Sequence, residues 1–197
     1  KQVFKYYAIN LLNREEREKF VENILKEDIC IDGLVNNAAF TVSSPDSKDM
    51  FDSFENQSLG SWDRTLEVNL TAPFHLIRDL GHILKRNKAV VVNVSSIYGL
   101  FSPNIEIYEG TGMGNSAAYA VSKSGLIQLT KWFSTILGKN IRINAIVAGG
   151  VERDQEKEFI ERYSKLTTLK RMATEREIVE PIIFLLSNMS SYITGQI

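Results

Sequence analysis

Three short apolar runs constrain this chain more than anything else in it: Ile31–Val35, Ala89–Val94 and Ile141–Val147. Each is rich in branched side chains and apolar at consecutive rather than alternate positions. Each also stops at turn formers: Asn36-Asn37, Ser95-Ser96 and Ala148-Gly149-Gly150. A strand apolar on both faces must be covered on both, which is the condition of a parallel sheet held between helical layers.

The segments between these runs read as the helices. Asn13 with Glu16 is a helix-start signal, and Phe20, Val21, Ile24 and Leu25 follow at helical spacing toward Asp28. From Trp62 to Lys85 the residues Leu66, Asn69, Leu70, Phe74, Ile77, Leu80 and Leu84 predict one long helix, with Pro73 as a kink point. Ala117–Leu137 is helical and apolar on more than one face, closed by Gly138. Glu152–Lys165 is a charged helix, either solvated or a lid. Thr174–Glu177 is a capping box opening a last helix toward Asn188, with Pro181 near its first turns. Val3–Ile9 and Tyr192–Ile197 are expected as further strands, and Thr41–Ser58 and Leu100–Ala118 as mostly loop. Strand and helix alternate throughout, so the expectation is an α/β domain over residues 1–197.

Composition excludes several classes. A net charge of −1 offers no basic footprint for nucleic acid or a membrane surface. Cys30 is the one cysteine, so an intramolecular disulfide or cysteine-based zinc site is excluded and a reducing, cytoplasmic setting is expected. No apolar run approaches the roughly 18 residues of a membrane span. His75 and His82 read as ordinary helix positions that could share a face, with no metal site expected; Trp62 and Trp132 read as packing anchors. The Trp62–Lys85 and Ala117–Leu137 helices carry more apolar surface than one sheet face uses, which points to subunit contacts.

In open parallel sheets, ligands bind beyond the carboxyl ends of the strands, where the three turns above converge. Tyr119 and Lys123 lie four apart on one helix and share a face. A free phenol, with a pKa near ~10, is a poor acid–base group at neutral pH. A neighbouring ammonium favours the phenolate, and a cationic nicotinamide would add to this. Such a Tyr can give a proton to a carbonyl oxygen or take one from an alcohol. The Tyr-x-x-x-Lys spacing alone is weak evidence.

The whole set of motifs is more specific. Asn36-Asn37-Ala38-Ala39, Asn93-Val94-Ser95-Ser96-Ile97-Tyr98-Gly99, Tyr119-Ala120-Val121-Ser122-Lys123 and Ile141-Arg142-Ile143-Asn144-Ala145-Ile146 stand in this order. With Glu67-Val68-Asn69-Leu70, Phe184-Leu185-Leu186-Ser187 and Tyr192-Ile193-Thr194-Gly195-Gln196, they resemble the short-chain dehydrogenase/reductase family over nearly the whole chain. The resemblance implies a Rossmann-like doubly wound parallel sheet and hydride transfer between NAD or NADP and a carbonyl/alcohol substrate. By the same resemblance Tyr119 is the general acid/base, and Lys123 bonds the nicotinamide ribose and lowers the Tyr pKa. Ser96 orients the substrate oxygen, and Asn69 holds a helix distortion and a water leading to Lys123. Asn10 and Leu11 lie by the adenine, Asn36 and Ala38 by its ribose, and Gly149 and Val151 by the nicotinamide. Homodimers or homotetramers built on the two apolar helices are implied as well.

The family's glycine-rich pyrophosphate turn, with its strand-helix-strand unit, is not found in the sequence, nor is the end of its last strand. The chain is therefore expected to be incomplete at both ends. Ala39, Ala148 and Arg153 depart from the usual Gly, Pro and Thr. Between Ser96 and Tyr119 the chain is longer than is common in the family, so Leu100–Ala118 is expected to roof the substrate crevice. Its Ile107-Tyr108-Glu109-Gly110-Thr111-Gly112-Met113 run resembles a bacterial subgroup of surface-sugar and flagellin-glycan pathways, which implies a sugar or sugar-nucleotide substrate and a place in carbohydrate metabolism. Two other functions share these residues: epimerisation or dehydration through transient oxidation, and non-catalytic binding on the same fold.

Overall fold

The computed structural model describes residues 4–41 and 53–197. Strands β1 (Gly33–Asn36), β2 (Val90–Ser96) and β3 (Arg142–Ala148) form a parallel sheet in that order. Val91 stands beside Leu34 and Ile143 in register, and Asn93 beside Asn36 and Ala145. The helices are α1 (Arg14–Lys26), α2 (Leu59–Leu66), α3 (Ala72–Asp79), α4 (Gly81–Arg86), α5 (Ala117–Leu137), α6 (Lys157–Leu166) and α7 (Glu175–Leu186).

Consecutive residues of β2 serve opposite faces, as the continuous apolar runs require. Val91 and Ile143 join a core with Val21 and Ile24 of α1, Ile77 of α3, Leu84 of α4 and Phe133 of α5. Val90 and Val92 turn the other way and pack on Leu185 of α7. Ile77, Leu84, Val91 and Ile143 are wholly buried; each such side chain stabilises the fold by ~1.5–3 kcal/mol relative to exposure.

Local signals act much as expected at the helix ends. The Asn13 side chain accepts from the N–H groups of Glu15 and Glu16. Glu16, however, reaches back to the N–H of Asn10, at 2.7 Å, rather than to Asn13. Thr174 and Glu177 close the capping box, with the Thr174 N–H 2.8 Å from the Glu177 carboxylate.

Four expectations need correction. Residues 4–10 form no strand: Phe4 and Tyr6 are exposed while Tyr7 leans on the core, a strand's alternation, but no described strand lies alongside to complete a ladder. The predicted long helix is three helices. A π-turn over Glu67–Thr71 separates α2 from α3, and a bend at Leu80, where ψ opens to −3°, separates α3 from α4. Pro73 has no N–H to give the carbonyl of Asn69, four residues back, which accounts for the π-turn falling there. That break also separates the histidines: His75 is buried and pairs with Asp79 at 2.7 Å, whereas His82 is exposed. Trp132 is half exposed and anchors on one side only, edge-on to Phe133. Past Ser190 no strand forms, although Gly195 N–H to Ile143 and Ala145 N–H to Gln196 begin a pairing with β3. The proposed loop at Thr41–Ser58 falls partly outside the described residues; within it, Phe54–Asn56 is a 3-10 turn.

Candidate active site

The floor of the site is made where β2 ends and α5 begins. Ser116 caps α5, accepting from the N–H of Tyr119 at 3.2 Å, so the phenol projects from the first turn of a 21-residue helix. The positive end of that helix favours a negative charge there. One turn on, Lys123 is only 3% exposed, and its Nζ donates to the Val94 carbonyl at 2.8 Å. The two serines of β2 divide the work. The Ser95 hydroxyl donates to the Lys123 carbonyl at 2.8 Å and so fastens helix to strand. Ser96 instead faces the cavity with Tyr119. Gly99 permits the close approach: a β-carbon there would sit 2.8 Å from the backbone carbon of Lys123.

Asn69 lies one layer beneath. It is 1% exposed inside the π-turn. Its Oδ1 accepts from the Phe40 N–H at 2.7 Å, and its Nδ2 donates to the Phe40 carbonyl at 3.2 Å and to the Ser122 hydroxyl at 3.1 Å. Ser122 in turn donates to the Tyr119 carbonyl at 2.8 Å. Asn69 therefore meets the catalytic helix through Ser122 and makes no direct bond to Lys123.

Burial sets the ionisation of the two central groups. It pushes the Lys123 ammonium down to about 8. It also holds the Tyr119 phenol above its ordinary value, while the Ser96 hydroxyl beside it works in the opposite direction. The Lys123 amine is drawn to the Val94 carbonyl and lies 5.7 Å from the centre of the phenol ring.

The expected cofactor residues are placed less uniformly. Gly149 joins Ser96 and Tyr119 on one cavity wall. Val151 forms a bridge to Ala173. Asn36 turns its side chain into the sheet, donating to Asn93 at 2.8 Å, while Ala38 is exposed beyond the strand end. The Asn10 side chain is occupied by its own turn, accepting from Leu12 N–H at 3.0 Å. Leu11 packs on the Phe40 and Val68 cluster that Tyr119 also touches, and its carbonyl is gripped by the buried Arg17. Arg153 is exposed and pairs with Glu175 at 2.9 Å.

The donor set suits a nucleotide. The buried Lys123 ammonium carries three N–H donors against one carbonyl acceptor, which leaves donors for a vicinal diol such as a ribose. No group of three or more His, Cys, Asp or Glu among the described residues is arranged to hold a metal ion.

A cavity of about 210 Å³ opens above Ser96 and Tyr119. Its roof draws on the 100–118 segment, as expected, and on α6, for which the sequence left a solvated helix and a lid both open. From the 100–118 segment come Tyr108, Met113 and Asn115, and from α6 come Phe159 and Tyr163. Tyr108, Phe159 and Tyr163 make tilted ring contacts in series, with centroids 5.4 and 5.9 Å apart. Tyr163 also accepts from the Gly150 N–H at 2.6 Å, tying roof to floor. A β-carbon on Gly150 would come within 2.8 Å of the Tyr163 ring. The α6 segment is therefore not a wholly solvated helix. The signal available in the sequence was the pair Phe159 and Tyr163, four apart in an otherwise charged stretch.

A family model described as enoyl-(acyl carrier protein) reductase matches residues 2–197. The chain is 32% identical over 198 residues to a 3-oxoacyl-(acyl-carrier-protein) reductase of Thermotoga maritima, spanning 97% of this chain and 73% of that protein. It is 37% identical over 113 residues to the post-translational flagellin modification protein A of Campylobacter coli, which covers 57% of this chain and 44% of that protein. In fold it matches a short chain dehydrogenase from Leptospira borgpetersenii solved with bound NAD+, with a TM-score of 0.87 and 28% identity, over 98% of this chain and 72% of that one. The chain belongs to the short-chain dehydrogenase/reductase family. It is, with that family, an NAD(P)-dependent oxidoreductase on a Rossmann fold.

Proposed function

We propose that this chain interconverts a carbonyl and an alcohol at the cavity above Ser96, with Tyr119 as the general acid/base. The observation that carries the reading is the convergence of the Ser96 hydroxyl, the Tyr119 phenol and the buried Lys123 amine at the carboxyl end of β2. A bound nicotinamide supplies or accepts the hydride and, when oxidised, adds a positive charge. Ser96 holds the reacting oxygen by hydrogen bond. Tyr119, kept protonated by burial, is in the form that donates to a carbonyl oxygen. In the reverse direction the phenol must ionise, and the α5 N-terminus, Ser96 and Lys123 all favour that. Lowering it by two or three pH units takes roughly 3–4 kcal/mol. Lys123 bonds the ribose hydroxyls, Asn69 holds the π-turn, and Asn10, Leu11, Asn36, Ala38, Gly149 and Val151 flank the nucleotide.

The flagellin-modification relative and the aromatic, amide-bearing roof support a sugar-like substrate and a role in carbohydrate metabolism. A homodimer or homotetramer in the cytoplasm completes the reading. An open apolar groove lined by Leu70, Phe74, Leu129 and Trp132, between α3 and α5, supports subunit contacts there. The test is Tyr119→Phe: turnover should fall by about 10²–10⁴-fold while NADH fluorescence titrations stay within about twofold. Retained turnover would remove Tyr119 from the mechanism.

A further inference from the structure

Two phenols that the reaction above does not use meet inside the same cavity. The hydroxyls of Tyr98 and Tyr108 are 2.6 Å apart. Tyr98 comes from the turn after β2 and Tyr108 from the 100–118 segment. Both line the cavity together with Tyr119 and Ser96. One hydrogen bond joins them, whichever phenol donates. Two hydroxyls carry two hydrogens, so one is left over from the bond between them.

The Asn115 side chain adjoins Tyr108 and acts on its hydroxyl. Its Oδ1 is buried and has no hydrogen-bond partner, which is rare in folded proteins. The pair and this amide thus present an unspent donor and an unspent acceptor side by side. None of the residues lining the cavity is Asp, Glu, Lys, Arg or His.

We infer that Tyr98, Tyr108 and Asn115 form a hydroxyl-recognition site that selects a neutral substrate carrying a second hydroxyl on the carbon next to the reacting one. The inference rests on the cavity being the substrate site. A hydroxyl accepts the leftover phenol hydrogen and donates to Asn115, satisfying both groups. A carboxylate or phosphate only accepts, so it leaves the Asn115 carbonyl unpaired, and no residue lining the cavity is a cation. A hydrocarbon chain satisfies neither group. These three are specificity residues; the proton still moves through Tyr119.

The experiment compares butane-2,3-diol, butan-2-ol and 3-hydroxybutyrate as substrates for the full-length protein with NAD+ and with NADP+. The diol should exceed butan-2-ol in kcat/KM by about tenfold, since two matched hydrogen bonds are at stake, and should exceed the anion by more. In Tyr108→Phe and Asn115→Leu that preference should shrink to about twofold through KM, with kcat and NADH fluorescence titrations little changed. Tyr98→Phe is the alternative if either variant fails to fold. A diol preference near one, a preferred anion, an unchanged preference in the variants, or no diol oxidation by protein that binds NADH would each overturn the inference while leaving the oxidoreductase assignment in place. Failure to bind either nucleotide would overturn both.

Discussion

The floor and the roof of the cavity are built on different principles. The floor, from β2, α5 and the π-turn, is held by hydrogen bonds between side chains and backbone: Ser95 to Lys123, Lys123 to Val94, Asn69 to Phe40. The roof is held more by tilted ring contacts, with Arg162 donating to the Glu106 and Glu109 carbonyls within it and Tyr163 to Gly150 as a polar tie to the floor. Directional bonds demand particular residue types at particular spacings. Ring stacking demands only area and shape, so many sequences build an equivalent roof. A family can thus keep its chemistry fixed below while its substrate varies above.

Removing Asn69 should strain this comparison most. Asn69→Ala leaves the buried N–H and carbonyl of Phe40 and the Ser122 hydroxyl without their partner. A loss of roughly 3–5 kcal/mol in urea denaturation is expected, and a loss under about 1 kcal/mol would mean that the floor is held by packing instead.

The second test uses pH. The Lys123 ammonium, held at about 8 by burial, costs the folded state stability wherever it is charged. Relative to the ordinary 10.5, that cost is about 3 kcal/mol below pH 8. Above pH 8 the native state sheds the proton while the unfolded chain keeps it, so stability rises with pH until about 10.5. Lys123→Met should lack this rise. Parallel stability profiles for the two proteins from pH 7 to 10 would contradict the burial of a charged amine.

The smallest effect is expected at the roof. Tyr163→Phe leaves the Gly150 N–H unpaired, at a cost of about 1–2 kcal/mol. The change should appear as faster amide hydrogen exchange in α6 and a higher substrate KM, with the β2 amides unaffected. Equal acceleration in β2 would show that roof and floor open as one unit.

The same contrast explains what was legible beforehand. The three strands were readable because burial on both faces writes an unbroken apolar run into the sequence. Ser96, Tyr119 and Lys123 were readable because a helical turn and a strand end fix their spacing. The break after Leu66 was less so: a π-turn leaves the apolar periodicity almost intact, and only Pro73 and the resemblance at Asn69 pointed to it. The first segment misled because β propensity says nothing about whether a neighbouring strand is at hand. Tyr98 and Tyr108 stood in recognisable runs, but their meeting with Asn115 was not readable, because it depends on how an irregular segment folds back, which no local pattern encodes. Spacing along a helix did not reveal that the Lys123 amine turns to the Val94 carbonyl.

One detail of the sheet reaches further than its position suggests. Asn36 donates to Asn93, which donates to Thr130 of α5, all three sealed from water. Valines are interchangeable along neighbouring strands; an amide is not. Sliding β1 by a single step against β2 would set Asn36 opposite Val92 or Val94 and strand two amides in hydrocarbon. This polar rivet therefore acts as a vernier for the sheet. The height at which Ser96 emerges, three residues beyond Asn93, is measured from it.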